Sequence, residues 1–342
     1  MAGPHDLAPM PPADVAPMPA REVALLSVVA PMYNEQATAV VFYERVASAL
    51  AEVPFELVLV EDGSTDDTRA ILTRIAQADT RVKVVLLSRN FGHQPALTAG
   101  LEHARGDVVV MIDADLQDPP ELIAQMLEQW RGGVDVVYAV RDLRAGETRA
   151  KLWTAHLFYK LFRRMANIDL AAQSGDFRLM DRRPLDVLLA MPERNRFLRG
   201  MTVWVGYTQS AVRYERDPRY AGVTKYTPAK MLRFSFDAIT SFSQLPLQLA
   251  TLLGFLIAGF ALFVAIPLTV VARYTNQFVP GISSTIVVLL LLGGIQLITV
   301  GIIGEYVGRI YDEVKRRPLY VVADRLNLPD AGPSTMDRRL GD

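Results

Sequence analysis

Val108-Val109-Val110-Met111-Ile112-Asp113-Ala114-Asp115-Leu116-Gln117-Asp118-Pro119-Pro120 is the stretch that decides how this chain is read. Its apolar run predicts a strand buried on both faces, as in a parallel sheet. Two carboxylates one residue apart follow directly. Hard cations such as Mg²⁺ or Mn²⁺ take one or two carboxylates together with substrate phosphates, so an acidic edge beyond a buried strand suits a nucleotide diphosphate. Taken alone, the same residues also read as an acidic turn before a helix opened by Pro119 and Pro120.

Working outward, apolar runs at Leu25–Ala30, Phe55–Val60, Val82–Leu87, Asp107–Ile112 and Val134–Val140 alternate with helix-length segments at about 36–51, 67–78, 94–104 and 119–131. That alternation predicts an α/β domain with a parallel sheet, and Thr65 or Asp66 is placed to cap the second helix. Ligands of such sheets bind beyond the carboxyl ends of the strands. Three polar clusters fall there: Pro31-Met32-Tyr33-Asn34-Glu35, Glu61-Asp62-Gly63-Ser64-Thr65-Asp66, and Asp113 to Asp118. Asp62 can accept the ring N–H of uracil or guanine, Tyr33 can offer an aromatic face, and Asp113 with Asp115 can hold a metal on a pyrophosphate. Glu35 also fits an ordinary first-turn helix charge, and Asp62 an Asx turn. Arg141, Arg144, Arg149 and Lys151 cluster after the fifth strand, where they can pair with phosphates or serve as surface charge.

The chain has 342 residues, 51% of them hydrophobic, and a positive mean hydropathy. Between Asp237 and Glu305 the only charge is Arg273, which divides two apolar runs, about 245–272 and 282–304. Each matches the ~20 helical residues needed to cross a bilayer. Basic residues flank the pair on its outer sides, Arg219, Lys225, Lys230 and Arg233 before it and Arg309, Lys315, Arg316 and Arg317 after it, which predicts cytoplasmic termini. Residues 1–140 carry nine basic against twenty acidic side chains, a net −11; residues 141–233 carry nineteen against nine, a net +10. An acidic half and a basic half beside a membrane suit a metal-bound donor and an anionic lipid. There is no cysteine, which excludes disulfides, thiolate metal sites and cysteine nucleophiles. No P-loop, GxGxxG or HExxH pattern occurs. His5, His93, His103 and His156 are scattered and read as structural or solvated.

The string Asp113-Ala114-Asp115-Leu116-Gln117-Asp118-Pro119-Pro120-Glu121 resembles the DxD motif of family 2 glycosyltransferases, in the branch that uses polyprenyl phosphates. That branch holds bacterial bactoprenol glucosyltransferases and dolichol-phosphate mannose synthases, and the matching motifs run from about 25 to 320. The resemblance implies a GT-A fold, with Pro31, Tyr33, Glu35, Asp62 and Asp113 lining the nucleotide pocket. It also implies Asp113, Asp115 and Gln117 as ligands of Mg²⁺ or Mn²⁺, and Arg141 as a phosphate-binding residue. Ser174-Gly175-Asp176-Phe177-Arg178-Leu179 resembles the family's acceptor motif, with Asp176, beside Asp115, the residue nearest the chemistry. Asp176 otherwise fits a turn. Ala221-Gly222-Val223-Thr224-Lys225-Tyr226 matches a further pattern in a loop that can close over the pyrophosphate, which gives Lys225 a phosphate-binding role.

The expected organisation is a Pro-rich disordered leader over 1–22 and a catalytic domain over 23–228 whose sheet is complete before the apolar runs begin. An interfacial helix is expected over 229–243, its stripe Leu232, Phe236, Ile239 and Phe242 at helical spacing. A transmembrane hairpin over 244–305 and a cytoplasmic segment over 306–342, disordered from 321, complete it. The expected activity is inverting transfer of a hexose, glucose from UDP-glucose by preference, to undecaprenyl-type polyprenyl phosphate at the cytoplasmic face of the inner membrane. A GDP-mannose-dependent mannose synthase and a non-catalytic membrane scaffold or flippase subunit are the alternatives. A processive synthase would carry a QxxRW motif and more spans. Nucleic acid is not an expected partner; a second copy of the chain is a possible one.

Overall fold

A computed structural model of the chain describes residues 21–141, 174–214, 245–260, 263 and 282–329. Eight strands are present among them: β1 (Leu26–Met32), β2 (Phe55–Glu61), β3 (Val82–Leu87), β4 (Val108–Met111), β5 (Val136–Arg141), β6 (Ser174–Asp181), β7 (Gln209–Tyr214) and β8 (Val322–Leu326). They form one sheet in the order β7-β5-β6-β4-β1-β2-β3-β8. The block β4-β1-β2-β3 is parallel throughout, as the apolar runs predict. Every residue of β2 and β4 is buried, because helices cover both faces.

One layer consists of α1 (Ala39–Ala49), α2 (Thr68–Ala78) and α4 (Leu122–Arg131), which place Phe42, Leu72, Ile123 and Trp130 against the sheet. The other consists of α3 (His93–His103), α5 (Arg182–Ala190) and α6 (Leu198–Trp204), which contribute Leu97, Leu101, Leu185 and Met201. Asp66 holds the first turn of α2, accepting from the Thr68 N–H at 3.0 Å. Two further helices, α7 (Leu245–Phe260) and α8 (Ile282–Val314), pack on each other.

Sequence expectations change at two elements, β6 and β8. Residues 174–181 form neither a turn nor a loop: β6 is a central strand, antiparallel to both β4 and β5, so β5 is not the neighbour of β4. Its inward polar residues Asp176 and Arg178 hide it from a search for apolar runs. Residues 321–342 do not begin as a disordered tail, since β8 pairs antiparallel with β3 and closes the sheet edge. The sheet is therefore not complete by residue 228; it needs a strand from beyond the apolar runs. The second apolar run, 282–304, lies wholly within α8. The first run continues from α7 past Phe260, largely outside the described residues.

Candidate active site

Antiparallel β6 brings its amino end to the edge where β1, β2 and β4 present their carboxyl ends. Met111 pairs with Arg178, so Asp113, two residues on from Met111, and Asp176, two residues before Arg178, come together. His93, at the start of α3, lies between them, its Nε2 3.2 Å from Asp176 Oδ2 and 3.6 Å from Asp113 Oδ1. Arg199, from α6, grips Asp176 with both arms of its fork, Nε at 2.6 Å and Nη2 at 3.1 Å. Asp176 is only 5% exposed. Burial pushes its carboxyl up, but the Arg199 charge and the bonds from His93 and Arg199 prevail and hold it well below the usual carboxylate range.

Asp113 responds in the opposite sense. Burial pushes its carboxyl up to about 6, with Asp176, Asp118 and Asp115 reinforcing the rise and His93 opposing it. Burial lowers the His93 imidazole, yet its bond to Asp176 and the charge of Asp113 outweigh that and raise it to about 9. Its carboxylate partners account for this rise, and 43% of the His93 side chain stays open. Asp115 turns back on its own loop, where Oδ1 accepts from the Gln117 N–H at 3.1 Å, and Leu116 between them takes a positive φ of 59°.

Beneath this edge Asp118 is fully buried and accepts from the Tyr214 hydroxyl and from Arg141 Nη2 at 3.5 Å. Arg141 Nε also donates to the Tyr214 hydroxyl at 3.2 Å. Burial lowers the Arg141 guanidinium, but Asp118 and Tyr214 more than compensate and raise it. Gly175 lies so close that a Cβ there would sit 2.8 Å from Arg141 Nη2. Arg178 is 3% exposed and donates to the Gly175 carbonyl at 3.1 Å, so it supports the site from below and presents no surface to an acceptor. Burial lowers its guanidinium to about 10, with Asp176 opposing.

The nucleotide-side loops are knitted to one another. Asn34 N–H donates to Ser64 Oγ at 3.1 Å, Thr65 N–H to Asn34 Oδ1 at 2.8 Å, and Glu35 N–H to Thr68 Oγ1 at 2.8 Å. Glu35 itself accepts from Thr38 Oγ1 at 2.6 Å at the start of α1. Pro31 lies inside β1, paired with Val60, and Tyr33 just beyond the strand is 38% exposed. Asp62 is 3% exposed, and its two oxygens accept from the N–H groups of Phe91 (2.7 Å) and Gly92 (3.0 Å). It therefore braces the turn that leads into His93. Burial pushes its carboxyl up, those amides oppose the rise, and Glu61 adds to it.

Among the described residues no group of three or more His, Asp or Glu side chains could hold a metal by itself. Asp113 and Asp115 supply two hard oxygen donors, which fits Mg²⁺ or Mn²⁺ completed by diphosphate oxygens and water. Arg149, Lys151 and Lys225, the loop 221–226 and the stripe 232–242 lie outside the described residues.

The glycosyl transferase family 2 profile matches residues 27–189, which run from β1 through most of α5. The uncharacterized glycosyltransferase YkcC of Bacillus subtilis is 48% identical, covering 86% of this chain and 92% of its own length. The bactoprenol glucosyl transferase of Shigella phage SfII is 40% identical over 87% of this chain and 97% of its own, and that of Shigella phage SfX 39% over 88% and 99%. This chain belongs to glycosyltransferase family 2. It is a glycosyltransferase with the α/β GT-A fold and a mostly parallel sheet. For this family 2 enzyme, sequence reading missed His93 and Arg199. A lone histidine and one arginine among nineteen basic residues of 141–233 carry no spacing signal, and only the antiparallel course of β6 brings them together.

Proposed function

We propose that this enzyme transfers a hexose from a nucleotide diphosphate sugar to a polyprenyl phosphate, with inversion at the anomeric carbon and with a divalent cation. One observation carries the reading: the DxD carboxylates Asp113 and Asp115 share a sheet edge with Asp176, His93 and Arg199, so an acidic cluster adjoins a fixed cationic one. The first suits a metal-bound diphosphate, the second an anionic acceptor. Support for the acceptor also comes from relatives such as the phage SfII protein, a bactoprenol glucosyl transferase at 40% identity.

Asp113, Asp115 and Gln117 are the residues that would hold Mg²⁺ or Mn²⁺, which would offset charge on the leaving nucleotide diphosphate. Pro31, Tyr33, Glu35 and Asp62 form the nucleotide side. Asp62 acts there through the Phe91–Gly92 turn as much as by any contact with a base. Arg141, fixed by Asp118 and Tyr214, together with Arg149, Lys151 and Lys225, serves phosphate groups. Ser174 and Gly175 open β6 on the acceptor side.

A phosphate monoester has a second pKa near ~6, so its oxygen is largely anionic at neutral pH and needs orientation more than deprotonation. In-line attack from the face opposite the nucleotide gives a β-linked product from an α-linked donor. Glucose from UDP-glucose is the preferred donor, with GDP-mannose the alternative.

The runs at 245–272 and 282–304 are proposed to cross the inner membrane, with the catalytic domain and both termini cytoplasmic. Phe255, Leu256, Leu289, Leu297, Ile298 and Val300 support this, all more than half exposed, an apolar surface that water disfavours and lipid accepts. Mass spectrometry of lipid products from a panel of nucleotide sugars tests the proposal. A polyprenyl phosphohexose from one donor is expected, and release of free sugar alone would refute it.

A further inference from the structure

We propose that Arg199 and His93 together seat the acceptor's phosphate group, and that Asp176 is the positioning residue holding both side chains in place. The inference rests on the polyprenyl phosphate reading above.

A general base must offer a lone pair to the proton it removes. Asp176 is 5% exposed and already accepts three hydrogen bonds. Its Oδ1 takes Arg199 Nε at 2.6 Å, and its Oδ2 takes Arg199 Nη2 at 3.1 Å and His93 Nε2 at 3.2 Å. Such a carboxylate is built to orient cations. The two-armed grip fixes the guanidinium plane, so little further ordering is needed when an anion docks. Arg199 nevertheless keeps 30% of its side chain open and His93 keeps 43%. Asp176 thus holds both side chains, and each keeps part of its surface open.

Three elements converge to make this seat: β6 supplies Asp176, α3 supplies His93 and α6 supplies Arg199. Arg178 adds a further positive charge behind Asp176, too buried to touch a ligand. Positive charge thus exceeds negative on the Asp176 side of the edge, while Asp113, 3.6 Å from His93, opens the carboxylate side. A phosphate monoester resting on Arg199 and His93 would meet a donor held over Asp113 and Asp115 without crossing a gap, which is how orientation raises a bimolecular rate.

The test uses full-length protein in bilayers with polyprenyl monophosphate and a nucleotide sugar. Arg199→Ala and His93→Gln are each expected to raise the acceptor KM by about tenfold or more, the scale of a lost charge-assisted contact. Arg199→Lys, which keeps the charge without the fork, should fall between Arg199→Ala and wild type. Donor affinity measured calorimetrically with Mn²⁺ should stay close to wild type in all three. Asp176→Asn should reproduce the rise in acceptor KM. Inorganic phosphate and a short isoprenyl monophosphate should both compete in wild type and both weaken in Arg199→Ala, which assigns the contact to the phosphate group and not to the chain. An unchanged acceptor KM in folded Arg199→Lys and His93→Gln would overturn the seat. A defect of Asp176→Asn confined to kcat would make Asp176 a base and overturn its positioning role. If wild type itself forms no lipid product, the acceptor reading fails and the seat falls with it.

Discussion

Replacing Asp115 with Asn removes one charge from a part-exposed loop and leaves the core untouched. Transfer should fall to background while the thermal midpoint stays near wild type; a folded variant with full activity would remove Asp115 from the metal site. Tyr214 makes a different case, because its hydroxyl joins buried Asp118 to Arg141. Tyr214→Phe leaves Asp118 short of a donor in a buried setting, so a loss of about 1–3 kcal/mol is expected in urea unfolding. A stability equal to wild type would show that Asp118 finds another donor. The carboxylates of the DxD stretch were legible in the sequence because a strand end concentrates them. His93 and Arg199 were not, since each acquires its role from residues at least twenty positions away in the chain.

Loops and strands carry the next level of the argument. Gly63 has φ +65°, and a Cβ there would lie 2.4 Å from backbone atoms of Arg89 and Asn90. The left-handed conformation alone costs a non-glycine residue ~1–2 kcal/mol, and a backbone neighbour cannot swing aside as a side chain can. Gly63→Ala should therefore destabilise the domain by at least about that amount and weaken nucleotide binding, measured by unfolding and calorimetry. A variant as stable as wild type would mean that the 62–63 and 89–90 loops can separate at little cost.

The turn from α2 to β3 offers a pH prediction. Arg81 hydrogen-bonds Asp79 and, despite partial burial, holds its carboxyl at about 2, with Tyr43 assisting. A folded-state value below the unfolded one contributes stability above the unfolded pKa of 3.8 and loses it as pH falls toward 2. Wild type should thus exceed Asp79→Asn in stability at pH 6, and the difference should shrink between pH 4 and pH 2. A constant difference would locate the effect in packing. At this scale the parallel strands were readable because burial on both faces forces near-continuous apolar runs. β6 was not, because a strand that delivers Asp176 and Arg178 to a site cannot also be apolar. β8, Val-Ala-Asp-Arg-Leu, borders solvent at a sheet edge and has no run to detect.

Over the whole molecule, the segment after α8 returns to the catalytic domain. Ser88 N–H donates to the Val321 carbonyl at 2.9 Å, Tyr320 bonds Glu102, Arg325 Nε lies 3.1 Å from His103 Nε2, and Asn327 Nδ2 donates to the Val82 carbonyl at 2.9 Å. Glu102 and His103 end the helix that begins at His93, so α8 is tied to the helix that reaches the site. A chain ending at Arg317 should lose thermal stability and aggregate, because it uncovers the β3 edge; a soluble truncation with an unchanged midpoint would make β8 dispensable. The central claim is transfer to a lipid phosphate, and one comparison tests it most directly. Full-length enzyme in bilayers is given nucleotide sugar, Mn²⁺ and either polyprenyl monophosphate or the corresponding polyprenol, and the lipid products are weighed by mass spectrometry. The account predicts a hexose-bearing product from the monophosphate, none from the alcohol, and none after chelation. Equal glycosylation of both lipids, or of neither, would contradict it.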